Sequence, residues 1–245
     1  MRIDGARVLI TGASSGVGAA TARAMAAAGS RLVLAGRDRQ RLHAVAAETG
    51  GRAVVGDLTT DAPVLAGQAA PVDVLVCNAG AGWAGAFAGM PLRDVNELVA
   101  VNLTAPMELA RLLLPGMIEE RRGHVVFVSS IAGAVGVAGE AVYSAAKAGL
   151  VVFAEALRDE LSEFPGIGVS VVFPGVVATP FFDRRGVPYD RRWPRPIPPE
   201  RVARGIVTAI RRGRSECYVP GWLRLPARLR GAAPGAFHRL ARRTG

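Results

Sequence analysis

The sequence of 245 residues predicts an α/β fold: a single doubly wound parallel sheet of about seven strands with helices on both faces. Three observations predict it. Short apolar runs alternate with longer helical patterns along most of the chain. The first run ends in a glycine-rich turn that opens a helix. One run, 72–77, is almost continuously apolar, the mark of a strand buried on both faces. Apolar residues make up 50% of the chain and mean hydropathy is +0.27, which suits one sizeable core and excludes the disordered class.

The first strand covers residues 6–11, and the turn 11–18 leads into an Ala-rich helix stopped at Gly29. A second strand (31–35), a helix over about 38–49 and a short strand (52–56) follow, with Asp57-Leu58 closing the third strand. After a brief helical or irregular stretch comes strand four, then a Gly/Ala-rich loop over 78–89 and a long helix from about 92 to 120. Strand five is 125–130, a helix covers about 142–163, and strand six is 168–173. From 179 to 199 the pattern breaks at Pro180, Pro188, Pro194, Pro196, Pro198 and Pro199, with arginines and aromatics between them. A structureless loop of that length predicts a lid. Residues 200–213 read as a helix, 216–219 as strand seven, and 221–245 as an Arg-rich stretch broken at Pro226 and Pro234. The expected organisation is a nucleotide-binding catalytic domain over 1–220, carrying the lid, and a basic extension over 221–245.

No span of about 18 uncharged apolar residues is present, and the chain enters a strand pattern at once, so neither a spanning helix nor a secretory leader is expected. Cys77 and Cys217 lie in apolar stretches far apart, as buried thiols in a reducing cytoplasm would. Charge is uneven. Residues 1–180 carry 14 basic and 16 acidic side chains, a net −2, whereas 181–245 carry 16 basic and 4 acidic, a net +12. The excess points to an acidic partner or an anionic surface for the tail, unless it is a solvated face.

Chemistry concentrates in a few places. Gly12, Gly16 and Gly18, with Ser14, Ser15 and Val17 between them, end a strand and open a helix. Backbone N–H groups and a helix N-terminus then converge on one point, which suits an anionic pyrophosphate. The loop lacks the lysine of a triphosphate-binding loop, and its spacing is not G-x-G-x-x-G. Ser14 adds a hydroxyl that can donate to phosphate. At the end of strand two stands Gly36-Arg37, and an arginine there accommodates a 2′-phosphate, which favours NADP(H). Asp38 follows directly and could serve ribose hydroxyls instead, which leaves NAD(H) open. In the helix after strand five, Tyr143 and Lys147 are four residues apart and share a face. Lys147 is the only lysine beside 29 arginines, at a position where a compact, pKa-shiftable charge differs most from a guanidinium. An adjacent ammonium is expected to favour the phenolate of Tyr143.

Taken together the motifs resemble the short-chain dehydrogenase/reductase family over roughly residues 5–180. The resemblance rests on the Thr-Gly-xxx-Gly-x-Gly loop (Thr11 to Gly18), Asp57 after strand three, Asn78-Ala79-Gly80 after strand four and Asn102 in the long helix. It continues with Ser130 thirteen residues before Tyr143, the Tyr143-xxx-Lys147 pair, and Pro174-Gly175 with Thr179 after strand six. Cys77 departs from the pattern, since many members have a second asparagine there, and the segment between Asp57 and Asp73 is short for the family.

The resemblance implies a Rossmann-like oxidoreductase that transfers hydride between NADP(H) and a ketone, aldehyde or secondary alcohol. By it, Asp57, with Leu58 beside it, contacts the adenine, and Asn78, Ala79, Gly80 and Val101 line the adenosine side. Pro174, Gly175, Val177 and Thr179 hold the nicotinamide end. Tyr143 is the acid–base group, Lys147 and the nearby nicotinamide lower its pKa, and Lys147 also binds the nicotinamide ribose. Ser130 hydrogen-bonds the substrate oxygen, with Ser129 turned to the other face of its strand, and Asn102 holds a water in a proton relay. An NAD-dependent dehydrogenase, an epimerase or dehydratase on the same fold, and a non-enzymatic NADP-sensing regulator are the alternatives, and the full set of acid–base residues argues against the last. A homo-oligomer, dimer or tetramer, is the family expectation.

His43, His124 and His238 fit no metal-ligand spacing, so no metal is expected. The substrate pocket is expected among 81–85, 131–140 and the lid, with Trp83, Phe181, Phe182 and Trp193 as an apolar lining and Glu140 as the charge to watch. The tail has three readings. It packs through Trp222, Leu223, Leu225, Leu229, Phe237 and Leu240, or lies peripherally on an anionic membrane, or binds nucleic acid, for which no motif speaks.

Overall fold

A computed structural model describes residues 1–190, 192–235, 237 and 239. Seven parallel strands form one sheet in the order β3-β2-β1-β4-β5-β6-β7. They are β1 (Arg7–Thr11), β2 (Arg31–Gly36), β3 (Arg52–Val55), β4 (Val74–Cys77), β5 (Gly123–Val128), β6 (Ile167–Pro174) and β7 (Glu216–Val219). The order reverses between β1 and β4, and the crevice outside the carboxyl ends of these strands is where such sheets take ligands.

The helices that cross between strands are α1 (Gly16–Ala26), α2 (Arg39–Thr49), α3 (Ala62–Ala69), α4 (Leu92–Val99), α5 (Ala105–Glu119), α6 (Ile131–Val135) and α7 (Ala141–Glu160). After β6 come α8 (Phe181–Arg184), α9 (Pro199–Arg212) and, beyond β7, α10 (Arg224–Ala232). Alternation along the strands divides the core. Leu9, Leu75, Val125, Phe127 and Val171 face α3, α5 and α7, while Val8, Ile10, Val74, Val126 and Val172 face α1, α2 and α9. Buried strands facing helices on both sides explain the apolar runs.

The long helix expected over 92–120 is continuous but not uniform. Residues Ala100–Thr104 form a π turn between α4 and α5, and Asn102 sits in it with no exposure. Its length and apolarity reflect packing on the sheet through Leu109, Leu113 and Met117. The lid also differs from expectation: α8 forms within it, and a bridge between Val177 and Ile197 ties its two ends together. Pro226 does not break the tail. It lies in the first turn of α10, where its missing N–H has no intrahelical acceptor to lose. His238 and Leu240 lie outside the described residues. Cys77 and Cys217 are buried free thiols, and burial pushes both pKa values up.

Candidate functional site

The carboxyl ends of β1 to β6 open onto a cleft of about 1020 Å³. Every residue proposed from sequence for cofactor or catalysis lines it except Gly18 and Asn102, which stand directly behind its wall.

The glycines of the first loop are required one by one. Gly12 has φ +64°, and a β-carbon there would lie 2.8 Å from the Cα of Ala79. At Gly18 a β-carbon would lie 2.2 Å from the carbonyl oxygen of Gly12, so α1 could not start so close under the loop. Gly16, at φ +55°, packs against the Thr179 methyl, bringing the loop after β6 onto the glycine turn. Thr11 joins the loop to the end of β4: its hydroxyl accepts from the N–H groups of Asn78 and Ala79 at 3.0 Å, and the Asn78 amide donates to the Thr11 carbonyl at 3.0 Å. The result is a cradle of backbone at a helix N-terminus into which no side chain fits. It suits a dinucleotide pyrophosphate.

At the β2 end Arg37 is largely exposed and ion-pairs with Asp57 at 3.3 Å, with Glu97 at 4.0 Å beyond. Asp57 in turn accepts from the N–H and hydroxyl of Thr59 at 2.9 and 2.7 Å, and these bonds, with Arg37, hold its pKa below the usual carboxylate value. Asp38 is committed elsewhere. It caps α2, accepting from the Arg41 N–H at 3.0 Å, and pairs with the Arg41 guanidinium at 3.4 Å. Arg41 lines the cleft as a second cation, one that the sequence pattern hid because an arginine in the first turn of a helix ordinarily faces solvent.

On the other side of the switch point, β5 and α7 bring Ser130, Tyr143 and Lys147 together. Tyr143 and Lys147 are both buried in the face of α7 turned to the sheet. Lys147 Nζ donates to the Val128 carbonyl at 2.9 Å and stands 5.9 Å from the Tyr143 ring centroid. Ser130 Oγ accepts from the Ala132 N–H at 3.1 Å, capping α6, and interacts with the Tyr143 hydroxyl. Ser129 is engaged elsewhere, its hydroxyl donating to the Lys147 carbonyl at 3.0 Å. The Asn102 amide donates to the carbonyls of Ala81 and Leu98 at 2.9 and 3.0 Å, whereas its buried Oδ1 has no partner among the described residues.

In the protein alone, burial governs both groups of the pair. Burial pushes the Tyr143 phenol up to about 12, with Ser130 and Arg185 pulling the other way and Glu140 adding to the rise. Burial likewise brings Lys147 down to about 8. Desolvation is thus the largest influence on the Tyr143 phenol, and the groups that lower it are Ser130 and Arg185 rather than Lys147.

The lid supplies the rest of the wall. Phe181 packs on Tyr143 with ring centroids 5.6 Å apart, and Trp83, Phe181 and Phe182 line the cleft. Trp193 does not; it is exposed and stacks on Trp222. Glu140 pairs with Arg185, whose guanidinium lies over the Phe182 ring at 4.6 Å. Arg184 donates to Ser15 Oγ at 3.0 Å, linking lid to glycine loop. Neither arginine was singled out from sequence, because the lid holds several and only the folded loop turns these two inward. Among the described residues no cluster of three or more His, Cys, Asp or Glu is placed to hold a metal.

The family model of short chain dehydrogenases matches residues 6–187. The chain belongs to the short-chain dehydrogenase/reductase family. It is an oxidoreductase of that family, built on the family's Rossmann-like fold. Among curated relatives of this dehydrogenase, the ketoacyl reductase HetN of Nostoc sp. is 38% identical over 234 residues, covering 89% of this chain and 79% of the relative. Among solved structures, a short-chain dehydrogenase from Sphingobium yanoikuyae in complex with NADPH superposes with a TM-score of 0.83 at 30% identity, covering 94% of each chain. One from Burkholderia phymatum in complex with NAD gives 0.86 at 25% identity, covering 95% of each.

Proposed function

We propose that this dehydrogenase/reductase is NADP(H)-dependent and reduces an apolar ketone or aldehyde, with Tyr143 as proton donor. The observation that carries the reading is the meeting of Ser130, Tyr143 and Lys147 at one end of a dinucleotide-sized cleft. The bound nicotinamide supplies or accepts the hydride. The protein supplies the proton and the alignment. With its pKa near 12 the Tyr143 phenol is protonated at neutral pH and ready to donate to a carbonyl oxygen. Ser130 Oγ donates to the same oxygen, and Lys147, still charged below about pH 8, offers its remaining N–H groups to the ribose side and to the proton path. The unpartnered Asn102 Oδ1 suits a water on that path.

NADP(H) is favoured over NAD(H) because Arg37 and Arg41 face the adenosine end while Asp38 is engaged as a helix cap. The NADPH complex from Sphingobium yanoikuyae supports this, and the NAD complex from Burkholderia phymatum keeps the second reading in play. The apolar substrate is supported by Trp83, Phe181 and Phe182, and a ketoacyl group, the substrate in the name of the Nostoc relative, fits that lining. We place the catalytic domain at 1–220 and expect a homo-oligomer in the cytoplasm. Oxidation of NADPH and of NADH is to be followed over a panel of ketones, aldehydes and ketoacyl thioesters, with Tyr143→Phe alongside. Turnover with NADPH that Tyr143→Phe abolishes supports the reading. Preference for NADH refutes the cofactor assignment, and full activity in Tyr143→Phe refutes the proton donor.

A further inference from the structure

The sequence leaves three readings for the tail, packing through its apolar residues, lying on an anionic membrane or binding nucleic acid, and the structure divides those apolar residues. Leu223 is buried at 4% exposure, and Pro226 and Ala227 are half-buried. Leu225 and Leu229 are 71% and 41% exposed, four residues apart on the outward face of α10. Trp222, 41% exposed, stacks at 5.1 Å on Trp193 of the lid, itself 69% exposed. The two segments, far apart in sequence, thus form one outward-facing apolar strip running from the lid onto α10. Its flanks are basic. Arg192 and Arg195 beside Trp193, and Arg224 and Arg228 beside the two leucines, are all exposed. Arg230 anchors the helix by donating to the Ala134 carbonyl at 3.2 Å, so α10 is held against α6 with this face outward. Pro194, next to Trp193, lines the cleft, so the strip adjoins its rim.

We propose that this composite face of the lid and α10 is a docking surface for an anionic lipid bilayer. Amphipathic tryptophans and leucines between arginines match an interfacial site, with the rings at headgroup level and the cations against anionic phosphates. A second copy of the chain fits less well. A two-fold contact would set this patch against itself and oppose four arginines to four of the same sign. Coming through the lid, the surface would bring the cleft mouth to the bilayer. That consequence rests on the proposed reduction of an apolar carbonyl, whereas the docking itself does not.

The test is co-sedimentation of the full-length protein with vesicles of phosphatidylcholine alone and of phosphatidylcholine mixed with phosphatidylglycerol, at low and high salt. Expected are binding to the mixed vesicles only, loss in high salt, and weakening by about fivefold per arginine in Arg224→Gln and Arg228→Gln. Leu225→Glu with Leu229→Glu should abolish binding while NADPH binding by the same protein stays intact. Tryptophan emission of the unmodified protein gives a readout that needs no variant: a blue shift on adding mixed vesicles. Absence of sedimentation and of the shift overturns the proposal. So does binding that the leucine variants leave unchanged, which would mark a purely electrostatic surface such as one for an acidic protein. Loss of a dimer in those variants, without any vesicle binding, would assign the strip to a second copy and equally overturn it.

Discussion

Lys147 is clasped at both ends to the end of β5: its Nζ donates to the Val128 carbonyl at 2.9 Å, and its own carbonyl accepts from Ser129 Oγ at 3.0 Å. The ammonium is thereby held at one place under the Tyr143 ring, 3.5 Å from where a β-carbon on Gly80 would stand. A guanidinium is larger, planar and always charged, and it does not place one compact donor at that point. Lys147→Arg is expected to keep its helical circular dichroism and to lose about 100-fold or more in kcat/KM. Burial brings Lys147 to about 8, so its charged form is present below that pH and lost above it. The kcat/KM for carbonyl reduction should therefore fall as pH rises through about 8, and the residual activity of Lys147→Arg should lack that limb.

Arg37 leaves its pairing with Asp57 at little cost, since the pair is largely exposed. A 2′-phosphate would give it a charge-assisted hydrogen bond. Arg37→Gln is expected to weaken NADPH binding by about 10- to 100-fold and to change NADH binding little. Titration of intrinsic fluorescence with each nucleotide measures the ratio, and equal losses for both would contradict the role.

Glu140 and Arg185 join the loop before α7 to the lid, and both side chains are largely buried. Breaking such a pair leaves one charge without its partner. Glu140→Gln and Arg185→Gln should each raise KM for a bulky ketone several-fold with less effect on kcat, and the double variant should cost less than the two effects combined. Steady-state kinetics of the four proteins closes the cycle. Additive losses would show that the pair does not act as a latch.

His124 is buried in β5, with its Nε2 2.8 Å from Ser170 Oγ. Ser170 donates to the Arg214 carbonyl, so the ring donates to Ser170 through a proton on Nε2. Burial lowers its pKa from 6.5 to about 4. Between those values the unfolded chain binds the proton and the folded protein does not, so stability is present above pH 6.5 and drains as pH falls toward 4. Urea unfolding should show a shallower acid loss in His124→Asn, the difference reaching roughly 3 kcal/mol if the whole shift is expressed.

Much of the site was legible because it is carried by local pattern. A glycine turn after a strand, an arginine at the next strand end, and a tyrosine and lysine one helical turn apart each declare a geometry within a few residues. The π turn that buries Asn102 was not legible, since 100–104 holds no glycine or proline to mark a change within the helix. Nor were the inward turns of Arg184, Arg185 and Arg41, or the exposure of Leu225 and Leu229, which depend on what lies opposite in space.

For this protein the sequence by itself determined the doubly wound sheet, because strand and helix periods and a fixed crossover hand leave few alternatives, and its motifs carried the resemblance to the family and to that family's site residues. Only the tertiary structure decided the balance at Tyr143 and Lys147. Along the chain they are a phenol beside a cation, and that pairing favours the phenolate. Enclosed together between β5, α7 and Phe181, both lose water, and the cost of burying charge pushes the phenol up and the lysine down. Desolvation is a property of what surrounds a group on every side, and no spacing along a chain records it.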